Sequence, residues 1–412
     1  MILYLKSHLF FQFNAYYFIL IKLLLFIFLS KLLEIVWSAE KSCFSVLRYG
    51  KMGKTHRGKA ASMSILHEID QTAKAAVKGS VKMKVSVIVP VYNTSHYLQK
   101  CLNSLLDQTL DGVEIVAVDD GSTDTSGKIL DQLQAENPSR MKVFHEKNSG
   151  QAVARNLALA HCSGEYIAFL DSDDWVNPDK FQILYEKAKE TDADYVACGY
   201  RDTTIENGKE VILNPYVASK PAKETKDLFF DALVTPILLM YRREVLLDHG
   251  VRYPEGIIYE DTSFYLNAIP FIHKIAVVEK PLGSRLRRRN STMTICKANK
   301  VAQIFPALKD SIDFYEKNGF SQTYAKELEY FCVRILLCSS MGRIARVKSV
   351  RESWQLVKET LAFLQDNFPE FRKNPYMRGG LQHAYMRSFC LFTAGIFFPI
   401  FRLRARFEKK YE

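Results

Sequence analysis

Tyr166-Ile167-Ala168-Phe169-Leu170-Asp171-Ser172-Asp173-Asp174-Trp175 is the stretch on which the reading of this chain turns. Five apolar residues, too few for a helix, run straight into three carboxylates. That is the profile of a buried strand ending at a polar rim. A second stretch of the same kind lies upstream, where Val113 to Val118 leads into Asp119-Asp120-Gly121-Ser122-Thr123-Asp124. Open α/β sheets bind ligands beyond the carboxyl ends of their strands, so both rims are candidates for one site. Carboxylates crowded together repel unless a cation or hydrogen-bond donors compensate. A divalent metal on Asp171 or Asp173 removes that cost, and oxygen ligands favour Mg²⁺ or Mn²⁺ over zinc. An Asp-x-Asp triplet also makes turns and caps; its position at a strand end is what favours the metal.

Outward from these rims the pattern alternates. Val85 to Val91 predicts a strand, and Tyr97, Cys101, Leu102 and Leu105 recur at helical spacing after it. Helices are predicted from about Asp124 to Ala135, Gln151 to Cys162 and Pro178 to Glu190, with strands at Met141–His145 and Tyr195–Gly199 between and after them. Strand–helix alternation of this kind means βαβ units and a mainly parallel sheet flanked by helices. Asn207-Gly208 predicts a hairpin turn, and the region 297–387 reads as helical.

The ends differ from the middle. Residues 1–40 are an apolar segment, from Leu9 to Trp37 almost wholly Leu, Ile, Phe and Tyr, interrupted by Lys22 and Lys31. It is long enough to cross a bilayer, and reads either as an anchor or as an upstream misassignment of the start, since Met83 directly precedes the first strand. Residues 41–82 form a basic linker. Residues 388–412 form an apolar and basic tail: Ser388 to Phe401 is nearly all apolar and Arg402, Arg404, Arg406, Lys409 and Lys410 follow. Such a tail either lies in the interface of an anionic membrane or is a buried terminal helix.

With 412 residues, 48% of them hydrophobic, the chain has ample material for a packed core. Its formal charge of +11 suits phosphate-bearing partners. The arginines lack interleaved aromatics and no recognised module is present, which argues against nucleic acid. Eight cysteines without a CxxC pair or zinc spacing indicate a reducing, cytosolic-side compartment.

Four motifs now stand in order: Val87-Ile88-Val89-Pro90-Val91-Tyr92-Asn93, Val118-Asp119-Asp120-Gly121-Ser122-Thr123-Asp124, Asn148-Ser149-Gly150 with Ala154-Arg155-Asn156, and Phe169-Leu170-Asp171-Ser172-Asp173-Asp174. Together they resemble family 2 glycosyltransferases of the GT-A fold, such as bacterial capsular and exopolysaccharide glycosyltransferases. The resemblance covers about Lys84 to Thr294, within a transferase domain of residues 83–296. It implies that Pro90, Tyr92 and Asn93, with Asp119 and Asp120, hold the nucleotide of a nucleotide-diphospho-sugar donor. Gly150 and Arg155 would lie at the donor pocket, Asp171 beside ribose and metal, and Asp173 on a Mn²⁺ or Mg²⁺ ion bridging the diphosphate. In Tyr259-Glu260-Asp261-Thr262 it implies Asp261 as the base that deprotonates the acceptor, supported by Glu260.

Among Arg285, Arg287, Arg288 and Arg289 the resemblance implies an arginine over the diphosphate; Arg288 is the candidate, and which of the four acts stays open. Here the chain departs from the family, having Gly283-Ser284 where aromatics are frequent and Ile237-Leu238-Leu239-Met240-Tyr241 where a Trp and a Lys are common. The expected partners are a glycan or lipid-linked acceptor and the cytoplasmic face of the cell membrane. Two alternatives stay open: a non-catalytic nucleotide-sugar-binding protein at the membrane surface, and a nucleotidyltransferase. The latter would normally carry a Gly-rich phosphate loop, and Pro90 to Ser95 is not one.

Overall fold

Two strands buried at every position explain why the first half of the chain is rich in unbroken β-branched runs. β1 (Val85–Val91) has no exposed residue, and neither has β2 (Val113–Asp119); both faces of a parallel sheet are covered, so alternation is lost. The structure is a computed structural model that describes residues 82–408 apart from 219–220, 231–233 and 289–296. The predicted N-terminal segment 1–40 and nearly all of the linker 41–82 lie outside the described residues.

After β1 comes α1 (Ser95–Leu106), then β2, α2 (Ser126–Glu136), β3 (Met141–His145), α3 (Gln151–Ala160) and β4 (Tyr166–Phe169). β1 pairs in parallel with β2 on one side and β4 on the other, and β2 pairs in parallel with β3. Helix α1 buries Leu98, Cys101, Leu102 and Leu105, the spacing seen in the sequence. A short β5 (Trp175–Val176) and α4 (Lys180–Thr191) follow.

Beyond α4 the sheet stops being parallel. β6 (Tyr195–Glu206) is longer than the five residues predicted and folds back on β7 (Lys209–Ala218) through Asn207 and Gly208, both at positive φ. This is the predicted hairpin, of the kind that two left-handed residues favour. β8 (Leu239–Arg242) inserts antiparallel to both β4 and β6. After α5 (Arg243–Leu247) and α6 (Glu260–Ala268), β9 (Ile275–Leu286) runs parallel to β6 and antiparallel to β5. The order across the sheet is β3-β2-β1-β4-β8-β6-β9-β5, with β7 on β6. The pairing is parallel among β1 to β4 and mixed beyond, where the predicted hairpin and the antiparallel β8 enter the sheet.

The described chain forms two compact units that divide between Leu328 and Glu329. The first therefore continues past the strand-to-helix change at 296–297. After the short α7 (Ala298–Val301), α8 (Ile304–Lys317) belongs to it because its polar groups complete α6. Asp310 accepts from the Ser263 hydroxyl and from the Asn267 amide at 3.2 Å, and the Tyr315 hydroxyl donates to the Leu266 carbonyl at 2.8 Å. Helix α9 (Ala325–Arg334) crosses the division. The second unit holds α10 (Met341–Arg346), α11 (Val350–Asn367), α12 (Gly380–Ser388) and α13 (Leu391–Glu408). Helix α11 starts with a capping serine, Ser349, whose hydroxyl accepts from the Glu352 N–H at 3.2 Å. Among the described residues no helix is long and apolar enough to cross a membrane.

Candidate active site

The β1 and β2 rims are stitched together before any ligand arrives. Asn93, at φ +50°, accepts from the N–H groups of Thr123 (2.8 Å) and Asp124 (3.2 Å), and its own N–H donates to the Ser122 hydroxyl (3.0 Å). Asp124 accepts from the first N–H of two helices, Ser95 of α1 at 3.1 Å and Ser126 of α2 at 2.9 Å. Although burial opposes ionisation, those bonds pull the Asp124 carboxyl down to about 2. Helix capping thus falls to Asp124 and leaves Asp120 for other work. Pro90 is buried under this turn, while Tyr92 stands 41% exposed as an aromatic face at its tip.

Asp120 is 5% exposed, and the Ser149-Gly150 turn holds it. The Ser149 N–H donates to Oδ1 at 2.6 Å and the Gly150 N–H to Oδ2 at 3.0 Å. Burial raises its pKa and the two N–H bonds only partly offset that. Gly150 sits at φ +99° and Gly121 at φ +70°, with the Asn148 N only 2.7 Å from where a Cβ on Gly121 would fall. No other residue fits that corner without a shift. Asp119 accepts from the Ser122 N–H at 3.0 Å and lies 3.2 Å from His145 Nδ1; His145 in turn reaches Asp131 at 2.8 Å. Burial disfavours the charged imidazole, but the two carboxylates outweigh it and raise its pKa.

The β4 rim divides its carboxylates among three tasks. Asp174, 1% exposed, accepts the Leu286 N–H at 2.9 Å and so ties the rim to β9. Asp171 accepts from Arg155 Nη2 at 2.9 Å and Gln151 Nε2 at 3.2 Å. Asp173, 2% exposed, is ion-paired with Arg288, whose guanidinium lies 5.0 Å from the centre of the Tyr97 ring.

Arg155 joins this rim to α6. It is 1% exposed, and its Nη1 donates to Asp261 at 2.8 Å and to Glu260 at 3.1 Å. One guanidinium therefore faces three carboxylates, two of them at the N-terminus of α6, where the helix dipole favours negative charge. Burial, then the neighbouring Asp261, push Glu260 well above the ordinary carboxylate range. Asp261 is pushed up to about 6, chiefly by burial, with Arg155 acting against it. The two acids titrate as a pair, both pushed above the ordinary carboxylate range by burial, Glu260 the further. The Tyr253 ring stacks on Phe264 at 4.0 Å and lies 5.0 Å from the Arg155 guanidinium, closing the floor of the network.

A family model described as glycosyl transferase family 2 matches residues 86–250. A Bacillus subtilis (strain 168) protein assigned as glycosyltransferase EpsH is 32% identical over 258 residues, covering 60% of this chain and 74% of EpsH. This chain belongs to glycosyl transferase family 2. EpsJ, an uncharacterized glycosyltransferase of the same bacterium, is 28% identical over 293 residues, which are 68% of this chain and 83% of EpsJ. The solved structure of S. aureus TarS residues 1–349 with UDP-GlcNAc has a TM-score of 0.57 at 22% identity, covering 74% of this chain and 88% of that one. The fold is GT-A, as the motifs implied.

Within this family 2 glycosyltransferase the arginine cluster sorts itself. Arg285 is buried and bonded to Asp202 at 2.8 Å, Arg287 lies 3.8 Å from the same carboxylate, and Arg288 faces Asp173. Arg289 is outside the described residues. No group of three or more His, Cys, Asp or Glu that could hold a metal occurs among the described residues. A Mg²⁺-type site needs only one or two carboxylates together with substrate phosphates, and the buried Asp173 carboxylate, already facing a cation, suits that role with Asp171 beside it. Gln151 had no signature in the sequence beyond following Gly150. Its amide oxygen is buried without a partner among the described residues, one residue from the Asp120-holding turn.

Proposed function

We propose that this enzyme transfers a sugar from a nucleotide-diphospho-sugar to a hydroxyl of a glycan or lipid-linked glycan, with inversion, at the cytoplasmic face of the cell membrane during cell-surface polysaccharide synthesis. The observation that carries the reading is the Arg155 bridge, which puts the acid pair of α6 in one buried network with the β4 rim. A sugar-binding protein without catalysis has no use for a carboxylate poised near neutrality beside the donor rim.

In this mechanism Tyr92 stacks on the base and Asp120, aimed by Ser149 and Gly150, accepts from a base N–H. The unpartnered Gln151 amide oxygen is suited to accept from a donor hydroxyl. Asp261 takes the proton of the acceptor hydroxyl as that oxygen attacks the anomeric carbon; a base whose pKa lies near the working pH is the efficient choice. Glu260 supports the base from beside it, and Arg155 favours the ionised form of Asp261 and aims it. Arg288 is positioned to neutralise the departing diphosphate. A divalent ion, held by Asp173 with Asp171, would supply further charge neutralisation at the phosphates. TarS is held with UDP-GlcNAc in its structure, which supports a nucleotide-sugar as donor here.

A screen of labelled nucleotide-sugars with Mn²⁺, following both donor hydrolysis and transfer, tests the reading. Turnover of at least one donor, lost in Asp261→Asn, is expected. Donor binding without turnover would favour the non-catalytic alternative, and release of pyrophosphate from a nucleoside triphosphate would favour the nucleotidyltransferase.

A further inference from the structure

Helix α13 is apolar on the side it buries and on the side it shows. Ala394, Phe398 and Ala405 face inward, and Phe398 packs on Trp354 with ring centres 5.9 Å apart. Phe397 and Phe401 close on Tyr385. With about 3.6 residues per turn, Phe392, Ile396, Pro399 and Leu403 fall within about 60° of one another on the opposite side. Phe392 is 78% exposed, Leu403 55% and Ile396 51%. From Leu391 to Phe401 the one polar side chain is Thr393, and its hydroxyl turns back to the Ser388 and Cys390 carbonyls. A helix bordered by water carries charge on that face. This one does not.

Charge surrounds the stripe instead. From Glu329 to Glu412 there are fifteen Lys and Arg against seven Asp and Glu, so this fifth of the chain holds +8 of its +11. Arg387 is exposed one turn before Leu391. At the other end Arg402 donates to the Val347 carbonyl at 3.0 Å and the Lys348 carbonyl at 3.3 Å. Leu403 therefore adjoins a loop whose Lys348, Val350 and Arg351 are all exposed.

We propose that the outward face of α13 docks on an anionic lipid surface, Phe392, Ile396 and Leu403 entering the acyl boundary and Arg387, Lys348 and Arg351 meeting lipid phosphates. An apolar stripe within a basic rim is the chemistry of interfacial helices. A second copy of the chain would bring the same positive unit against itself, which like-charge repulsion disfavours. The inference rests on the reading of the enzyme as one that works at a membrane, and names the surface that does the docking.

The test is the full chain carrying Phe392→Trp, mixed with vesicles whose acyl chains are brominated. With equimolar phosphatidylglycerol and phosphatidylcholine the added emission should fall about twofold or more; with phosphatidylcholine alone it should hold. Ile396→Glu in the same chain should abolish the fall. Unchanged emission with the anionic vesicles overturns the proposal, as does equal quenching by the neutral ones. Sedimentation as a dimer that Phe392→Glu dissociates also overturns it. Donor hydrolysis on the same samples keeps the two readings apart: hydrolysis without quenching refutes the surface alone, and quenching without hydrolysis refutes the transferase alone.

Discussion

Helices α6 and α13 break the inside-out rule in opposite directions. α6 opens with two acids and is buried at every residue; α13 is apolar from Leu391 to Phe401 but for Thr393 and leaves large side chains in the open. Ordinary packing favours neither, because a buried carboxylate loses hydration and an exposed phenyl ring gains nothing from water. Each is tolerated where something compensates. For α6 that compensation is inside the chain, Arg155 facing the two acids and Asp310 accepting from Ser263 and Asn267. For α13 it lies outside, in what we propose to be lipid. The lesson is that a local breach of the rule identifies a working surface, and its sign identifies the kind of work.

The largest effect is expected at α6. Asp261→Asn is expected to cost about 10²–10⁴-fold in turnover while circular dichroism and melting stay near wild type. Full turnover in that variant would leave the acid pair a merely structural feature. Next in size, Arg155→Met should cost about 3–5 kcal/mol in urea unfolding, because it leaves buried carboxylates without their cation. A loss near zero would mean the network carries no charge.

The pH profile sharpens the same point. Turnover should rise as pH climbs through about 6, the value to which Asp261 is pushed, since the base must lose its proton. Stability should move the other way. A carboxyl with a raised folded-state pKa contributes stability that is complete below its unfolded value and fades as pH rises through the folded one. Because Arg155 lowers the Asp261 pKa, Arg155→Gln should move the acid limb of kcat upward. A limb that stays put would separate Arg155 from the base. Smaller still, Tyr92→Ala should raise the KM for donor about tenfold at near-constant kcat, losing one base-stacking contact of about 1–3 kcal/mol. The smallest effect belongs to α13, where Phe392→Glu should shift unfolding by less than about 0.5 kcal/mol.

The region from Val85 to Val176 is legible from the chain because β1, β2 and β4 are short, mostly apolar runs that each lead into a polar rim. Leu239–Arg242 offered no such signal: it continues the apolar turn Pro236-Ile237-Leu238 without a break, and its direction is set by the partners between which it slides. Asp120, Asp173 and Asp261 could be picked out as chemically suited residues. That Arg155 would be spent on Glu260 and Asp261, more than a hundred positions away, depends on tertiary packing that no local pattern encodes. The same holds for Asp174, which reads as one more rim acid and instead holds β9, and for Gln151, whose type and neighbours are unremarkable on a helix surface.

At the edge of the sheet opposite the rims, Glu114 is 2% exposed and accepts from the Ser86 hydroxyl, the Ser163 N–H and hydroxyl, and the Gly164 N–H, with Lys142 2.9 Å away. One carboxylate thus fastens the beginnings of β1 and β2 and the approach to β4. Pinning the starts fixes the register, so that β1 and β2 finish level at Val91 and Asp119 while β4 ends three positions lower, with Phe169 beside Ile88. A slip of a single residue would turn every side chain of a strand to the wrong face. Glu114 is the common zero mark of that ruler, and the height at which the rim aspartates Asp119, Asp120, Asp171 and Asp173 stand is measured from it.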